Sequence, residues 1–161
     1  MALRNVFKTQ LTDIDTSARD VLGSLRWENE KLYRYVLLDN VSGVALVAGD
    51  PVAWKATPAA GMTLFTVTSK VSEADAQPIL AGFATTTITS AQAAAGVYIW
   101  VQLTGAVTVP TAVASGVIGS GAMLSSTDKT LTVATGVINA GCVLASTSGA
   151  NNIVIADVPV V

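Results

Sequence analysis

The side chains able to do chemistry in this 161-residue chain are few and scattered, and histidine is absent. That absence removes the commonest general base and metal ligand. Ser-His-Asp, Cys-His and histidine–zinc arrangements are therefore excluded within one chain. Paired carboxylates remain. Asp13 and Asp15 lie in a polar leading segment, where a rigid acid–base dyad has no scaffold, and Glu73 and Asp75 read as a solvated connection. Asp128 and Lys129 follow Ser125, Ser126 and Thr127 and read as a hairpin turn with a charged tip, although a Ser–Lys nucleophile pair is formally available there. Gly119, Ser120 and Gly121 are glycine-rich, but no helix pattern or lysine follows, as a phosphate cradle requires. A calcium site wants several clustered oxygen ligands, and Asp39, Asn40 and Asp50 are too few. The single Cys142 precludes an internal disulfide and sits in an apolar run, as a small buried hydrophobe does. The expectation is a chain with no catalytic residues, no metal and no cofactor.

The elements that would position any site are set by an uneven charge map. Seventeen of the twenty charged residues fall in the first 75 positions, and none lies between Ala76 and Thr127. A segment this apolar must bury much of itself in a membrane, a core or a subunit interface. A spanning helix needs roughly 20 predominantly apolar residues. Gln92, Gln102, Pro110, repeated glycines and many Ser and Thr interrupt every such window, so a transmembrane helix is rejected. The net charge of −2 and the lack of a Lys/Arg cluster argue against nucleic acid or an anionic membrane as partner. Met1 to Gln10 carries Arg4 and Lys8 without a following apolar stretch, and does not read as a signal peptide.

Residues 1–25 read as an N-terminal arm, with one short helix expected from Thr16 to Leu22, capped by Asp15 or Thr16 and ended by Gly23. Its spaced Leu3, Val6, Phe7, Leu11 and Ile14 are more apolar than a solvated tail requires, so docking against a neighbouring subunit is expected. Residues 26–161 read as strands. Lys31 to Leu38 alternates, with Tyr33 and Tyr35 on one face and Arg34 on the other; short strands follow at 44–47, 52–54, 63–68 and 79–84, with a bulge expected at Gly82. The clearest strand runs from Val97 to Leu103. Val97, Ile99, Val101 and Leu103 share one face and Tyr98, Trp100 and Gln102 the other, so both faces call for cover by another layer or subunit. Ala106 to Val109 follows the Gly105 turn. Residues 116–127 and 136–147 then match at seven of twelve positions, a repeat best explained as successive hairpins. The fold expected is all-β: an antiparallel barrel or sandwich of about ten short strands with an extended N-terminal arm.

Against this background, Leu22 to Val36 (LGSLRWENEKLYRYV) resembles an opening common in small structural proteins of tailed-bacteriophage heads, where "LG" precedes a short loop and a "YRYV"-like strand. Val47 to Val52, Ile79 to Ala84, Gly96 to Gly105 and the late Gly-x-x-Leu-x-x-Ser-Thr unit are similar to the same group, in the same order. The resemblance implies a capsid decoration (cement) protein: β-rich, often trimeric, bound to the major capsid protein on the outer capsid surface of the virion. Within that reading Leu3, Phe7, Leu11 and Trp27 are candidates for capsid or neighbour contact, and Tyr98 and Trp100 for a subunit interface. These six residues come from the arm and strand pattern, not from a family motif. A tail or fibre component and a non-catalytic carbohydrate-binding module are the alternatives.

Overall fold

Two strands with alternating side chains form the seam on which the rest is assembled. In the computed structural model, which describes residues 7–39, 43–55, 65–70, 72, 74, 79–111, 113, 118–133, 142–146 and 152–158, these are β2 (Lys31–Leu38) and β6 (Val97–Gln102). They pair antiparallel from Tyr33↔Gln102 to Leu38↔Val97. Around them come β1 (Leu25–Glu28), β3 (Pro51–Trp54), β4 (Thr66–Thr68) and β5 (Leu80–Ala84). The order β2-β4-β3-β5-β6 closes back on β2, giving a five-stranded barrel. β2 is long enough to serve two neighbours along one edge: β1 pairs with residues 31–34 and β4 with Leu37 and Leu38.

The fold is all-β, as the alternation predicts, with differences in detail. The described residues contain eleven strands in two sheets, not one barrel or sandwich. The β2–β4 pair is parallel. It follows from the path: the chain first crosses to β3, and β4 then returns antiparallel to β3, which aligns it with β2. The one described helix, α1 (Ser90–Ala95), has no forerunner in the strand reading. It is closed by a capping box in which the Thr89 hydroxyl accepts from the Gln92 amide N–H and the Gln92 side chain accepts from the Thr89 N–H. Gly82, at φ +150°, sits where the β3–β5 register slips, so the expected irregularity is present.

The second sheet has the order β7-β11-β10-β8-β9, from β7 (Thr104–Val109), β8 (Gly121–Leu124), β9 (Leu131–Val133), β10 (Cys142–Ser146) and β11 (Asn152–Asp157). Each repeat copy supplies the first strand of one hairpin, β8 in one and β10 in the other. β8 and β10 lie side by side with Ala122 opposite Cys142, which are equivalent positions of the two copies. The repeat is thus a local two-fold, with its axis through that pair. Residues 134–141 and 147–151, between these strands in the sequence, lie outside the described residues.

Every second residue of this sheet turns inward. Val107, Val109, Ala122, Leu124, Leu131, Cys142, Leu144, Val154 and Ala156 join Val36, Leu38, Val52, Val67, Phe83, Ile99 and Val101 in one apolar cluster. Burial pushes the Cys142 thiol up to about 12, so it packs as a hydrophobe. Polar contacts fix the junction between barrel and sheet. Leu103 donates its N–H to Leu32 and accepts one from Val158, and the Lys31 ammonium donates to the Ala106 carbonyl at 2.8 Å. Gly49, at φ +92°, lets the barrel backbone meet β7, since a Cβ there would collide with the Thr108 carbonyl.

The same turn carries Asp50, fully buried, whose carboxylate accepts from the Val47 N–H at 2.8 Å and faces the Lys129 ammonium at 3.7 Å. Lys129 reaches it from the β8–β9 hairpin, where the sequence predicts a charged tip. Burial raises the Asp50 pKa above the usual carboxylate value despite the opposing Val47 and Lys129 contacts. Desolvation therefore outweighs the ion pair. Because the folded state holds this proton more tightly than the unfolded chain, the Asp50 contribution to stability falls as pH rises through the folded pKa. Urea unfolding from pH 7 to pH 4 should accordingly show wild type gaining stability relative to Asp50→Asn on acidification. A relative loss would mean that the Lys129 pair is the larger effect.

Candidate interaction site

The outer face of β2 and β6 presents Tyr33, Tyr35, Tyr98 and Trp100, an aromatic surface that water cannot satisfy. The N-terminal segment lies across it. Phe7, Leu11 and Leu22 pack against Tyr33, Tyr35 and Trp100. The Phe7 ring meets Trp100 edge-on, with centroids 5.2 Å apart, and Tyr98 stacks on Tyr35 at 6.2 Å. The Arg26 guanidinium sits over both Phe7 and Trp100, 5.5 and 5.9 Å from their centroids, and pairs with Glu28.

Polar contacts hold the segment in register. The Trp100 indole N–H donates to the Thr9 hydroxyl at 2.8 Å, and that hydroxyl donates to Asp20. Asp15 forms an isolated bridge with Tyr98, its N–H donating to the Tyr98 carbonyl at 3.1 Å and its carbonyl accepting at 2.8 Å. Its carboxylate accepts from the Tyr35 hydroxyl at 3.1 Å and pairs with Arg19 at 3.6 Å. The Thr85 hydroxyl donates to the Leu11 carbonyl, and Arg26 donates to the Thr9 carbonyl. Burial, with the Asp15 charge beside it, pushes the Tyr35 phenol up to about 12, so Tyr35 remains a hydrogen-bond donor at any physiological pH.

This arrangement revises several expectations. No helix forms over 16–22, because Asp15 uses its backbone and carboxylate on Tyr98 and Tyr35 instead of capping a turn. Trp100, expected at a subunit interface, is 0% exposed and enclosed by its own chain. The layer over the second face of β6 is the arm itself. Phe7, Leu11 and Tyr98 are half-buried members of the same cluster, so four of the six candidate contact residues come together inside one molecule. Leu3 lies outside the described residues. Trp27 alone stands apart, 66% exposed on β1.

An open cleft of about 390 Å³ lies where the arm, the barrel and β7 meet, with Leu11, Thr12, Lys31, Tyr33, Thr85 and Gln102 in its wall. Three of its polar side chains are engaged in structure: Lys31 and the Gln102 amide both donate to the Ala106 carbonyl, and the Thr85 hydroxyl donates to the Leu11 carbonyl. No carboxylate or cysteine lines it. Among the described residues no group of three or more Cys, Asp or Glu side chains is placed to hold a metal ion, and no helix is long and apolar enough to cross a membrane. The chain matches no known family model and no curated protein.

Two surfaces remain as candidates for contact. One is the outer face of the second sheet. There Ala106, Ile155 and Val143 lie in one row across β7, β11 and β10, with Ile153 beside them. The three larger side chains are 40–44% exposed, and Asp157 is the only charged residue in the five strands. The other is β1, with exposed Leu25 and Trp27 and with Val21 in the preceding turn. Neither the outer face of the second sheet nor Leu25 was singled out by sequence; the runs Cys142 to Ala145 and Ile153 to Ala156, apolar on both faces, carried that signal for the sheet.

Removing the Thr9 hydroxyl strands a buried indole N–H, which should cost about 1–3 kcal/mol. Urea denaturation of Thr9→Val should show that loss in wild type and much less of it when Trp100 is already Phe. Equal losses in both backgrounds would mean that the hydroxyl acts elsewhere.

Proposed function

We propose that this chain is a decoration protein of a tailed-bacteriophage capsid, a non-catalytic structural component that binds the major capsid protein on the outer surface of the virion and stabilises the head. The observation that carries the reading is the outer face of the second sheet, which bears a single charge, Asp157 at the end of β11, and on which Val143, Ile153 and Ile155 stay exposed although the inner face of the same strands is fully packed. Such a face fits an apolar, permanently occupied contact. The ordered resemblance from Leu22 onward supports the assignment to phage heads, and with it a homotrimeric assembly.

The magnitudes favour a lattice protein over a tight solitary binder. A fully buried Ile or Val contributes about 1.5–3 kcal/mol, and these three are already half covered, so one copy gains little. Repetition over a shell converts such modest contacts into durable binding. The carbohydrate-module alternative draws less support. Its best candidate, Trp27 flanked by Glu28, is split between strand faces, because Glu28 turns with Arg26 toward the arm side while Trp27 projects from the other face.

Quantitative mass spectrometry of purified virions tests the proposal by counting this chain against the major capsid protein. The expected ratio is near one to one, as lattice-wide multivalent binding requires. A handful of copies per particle would reassign the chain to the tail or a fibre, and absence from the virion would overturn the reading.

A further inference from the structure

The cleft where the arm, the barrel and β7 meet keeps hydrogen-bonding groups that the fold does not use. Tyr33 and Gln102 stand opposite each other in the β2–β6 ladder, share its outer face and both line the cleft. They are 7% and 8% exposed, so each is more than nine-tenths buried. The Gln102 amide nitrogen donates to the Thr104 and Ala106 carbonyls at 2.9 and 3.1 Å, which uses both its hydrogens and leaves its oxygen as the free end. That oxygen and the Tyr33 hydroxyl have no hydrogen-bond partner among the described residues, and neither is sealed from the surface. Burial, reinforced by the Glu28 charge and opposed by Arg26, raises the Tyr33 pKa above the ordinary phenol value, so the hydroxyl stays a donor. Lys31, two residues before Tyr33 on the same face of β2, uses one of its three N–H bonds on the Ala106 carbonyl. The cleft thus offers two kinds of donor and one fixed acceptor, set among Leu11, Ala84 and Val107.

We propose that this cleft binds an amide of a partner polypeptide, from its backbone or an Asn or Gln side chain, flanked by small aliphatic groups. The amide carbonyl accepts from Tyr33 and Lys31, the amide N–H donates to the Gln102 oxygen, and the aliphatic wall takes the neighbouring methyl groups. Buried polar groups left unmatched are costly, so this pattern selects a ligand more sharply than apolar area does. Other chemistries match it less well. A carboxylate suits Lys31 but sets its oxygens against the Gln102 oxygen. A cation is repelled by Lys31, and no carboxylate lines the wall to receive it. A sugar is gripped through its C–H face on an aromatic ring, and Tyr33, the one aromatic in the wall, is almost wholly covered. The volume of about 390 Å³ lies at the small end of ligand sites, which fits a short segment and not a whole strand. Ala106 belongs both to this wall and to the row with Ile155 and Val143, so the cleft opens beside the outer face of the second sheet. Amide binding does not rest on the virion assignment.

Titration of the ¹⁵N-labelled full chain with N-acetylalanine methylamide, a single residue blocked by two amides, tests the site. The Gln102 side-chain amide and the backbone amides of Leu11 and Thr85 should shift saturably, with a roughly millimolar Kd for a ligand this small. Sodium acetate and methyl glucoside, as contrasting probes, should bind at least about tenfold more weakly. Tyr33→Phe deletes a hydroxyl that the fold does not use, so it should leave the urea midpoint unchanged and weaken the amide probe about fivefold. Ala48→Phe, at an exposed position of the cleft wall, fills the cleft from outside and should abolish binding. Absence of a saturable shift, acetate or the glucoside binding as well as the amide, or binding unchanged in folded Tyr33→Phe or Ala48→Phe would each overturn the site. A chain that binds the amide probe yet is missing from virions keeps this site and loses only the capsid role.

Discussion

Burial of Trp100 is the constraint on which the rest depends. Its ring stands on the outer face of β6, where a barrel strand ordinarily meets solvent, and its indole N–H must find an acceptor if the ring is to be covered. The N-terminal segment supplies both requirements at once: Phe7 covers the ring, and Thr9 accepts the hydrogen bond. Once those two contacts are made, Leu11 and Asp15 fall onto Thr85, Tyr35 and Tyr98, and the chain enters β1 beside β2. The arm is therefore the third layer of the domain, not an appendage to it.

The same constraint explains the charge map. The charge-free stretch contains β5, α1, β6, β7 and β8. β5 is wholly buried, and β6 is covered inside by the barrel core and outside by the arm. Neither strand has a face on which a charge could stay solvated. β7 and β8 bury one face against the barrel, and the other is polar or apolar without charge. Of the three destinations open to so apolar a segment, the interior of its own domain takes the largest part. The outer face of the second sheet is what remains for contact.

Much of the fold was legible in the alternation of β2 and β6, because burial of both faces leaves a pattern that side-chain chemistry alone reveals. The hairpin character of the repeat was legible for the same reason. What separated expectation from structure was partner choice. Trp100 and Trp27 both read as large aromatics in strands, yet one is enclosed by a segment 91 residues away and the other is exposed. Sequence distance of that order carries no local signal. The arm helix failed because Asp15 had tertiary acceptors and donors to satisfy, which outcompete a single helical turn. Conversely, α1 was announced by Thr89, Gln92 and Gly96, a capping box and a terminal glycine, but it is too short to leave an amphipathic period. Closure of the barrel through a parallel β2–β4 pair depends on a crossover that no local pattern encodes.

The central claim, that the arm seals its own barrel through Trp100, is tested most directly by hydrogen exchange of the tryptophan indole N–H groups, read in one ¹⁵N-resolved spectrum. Trp27 is exposed and provides an internal reference. The account predicts that the Trp100 indole N–H is protected to the level of the slowest backbone amides of β2 and β6. Exchange of Trp100 as fast as Trp27 would contradict it, and would mean that the arm leaves the barrel in solution.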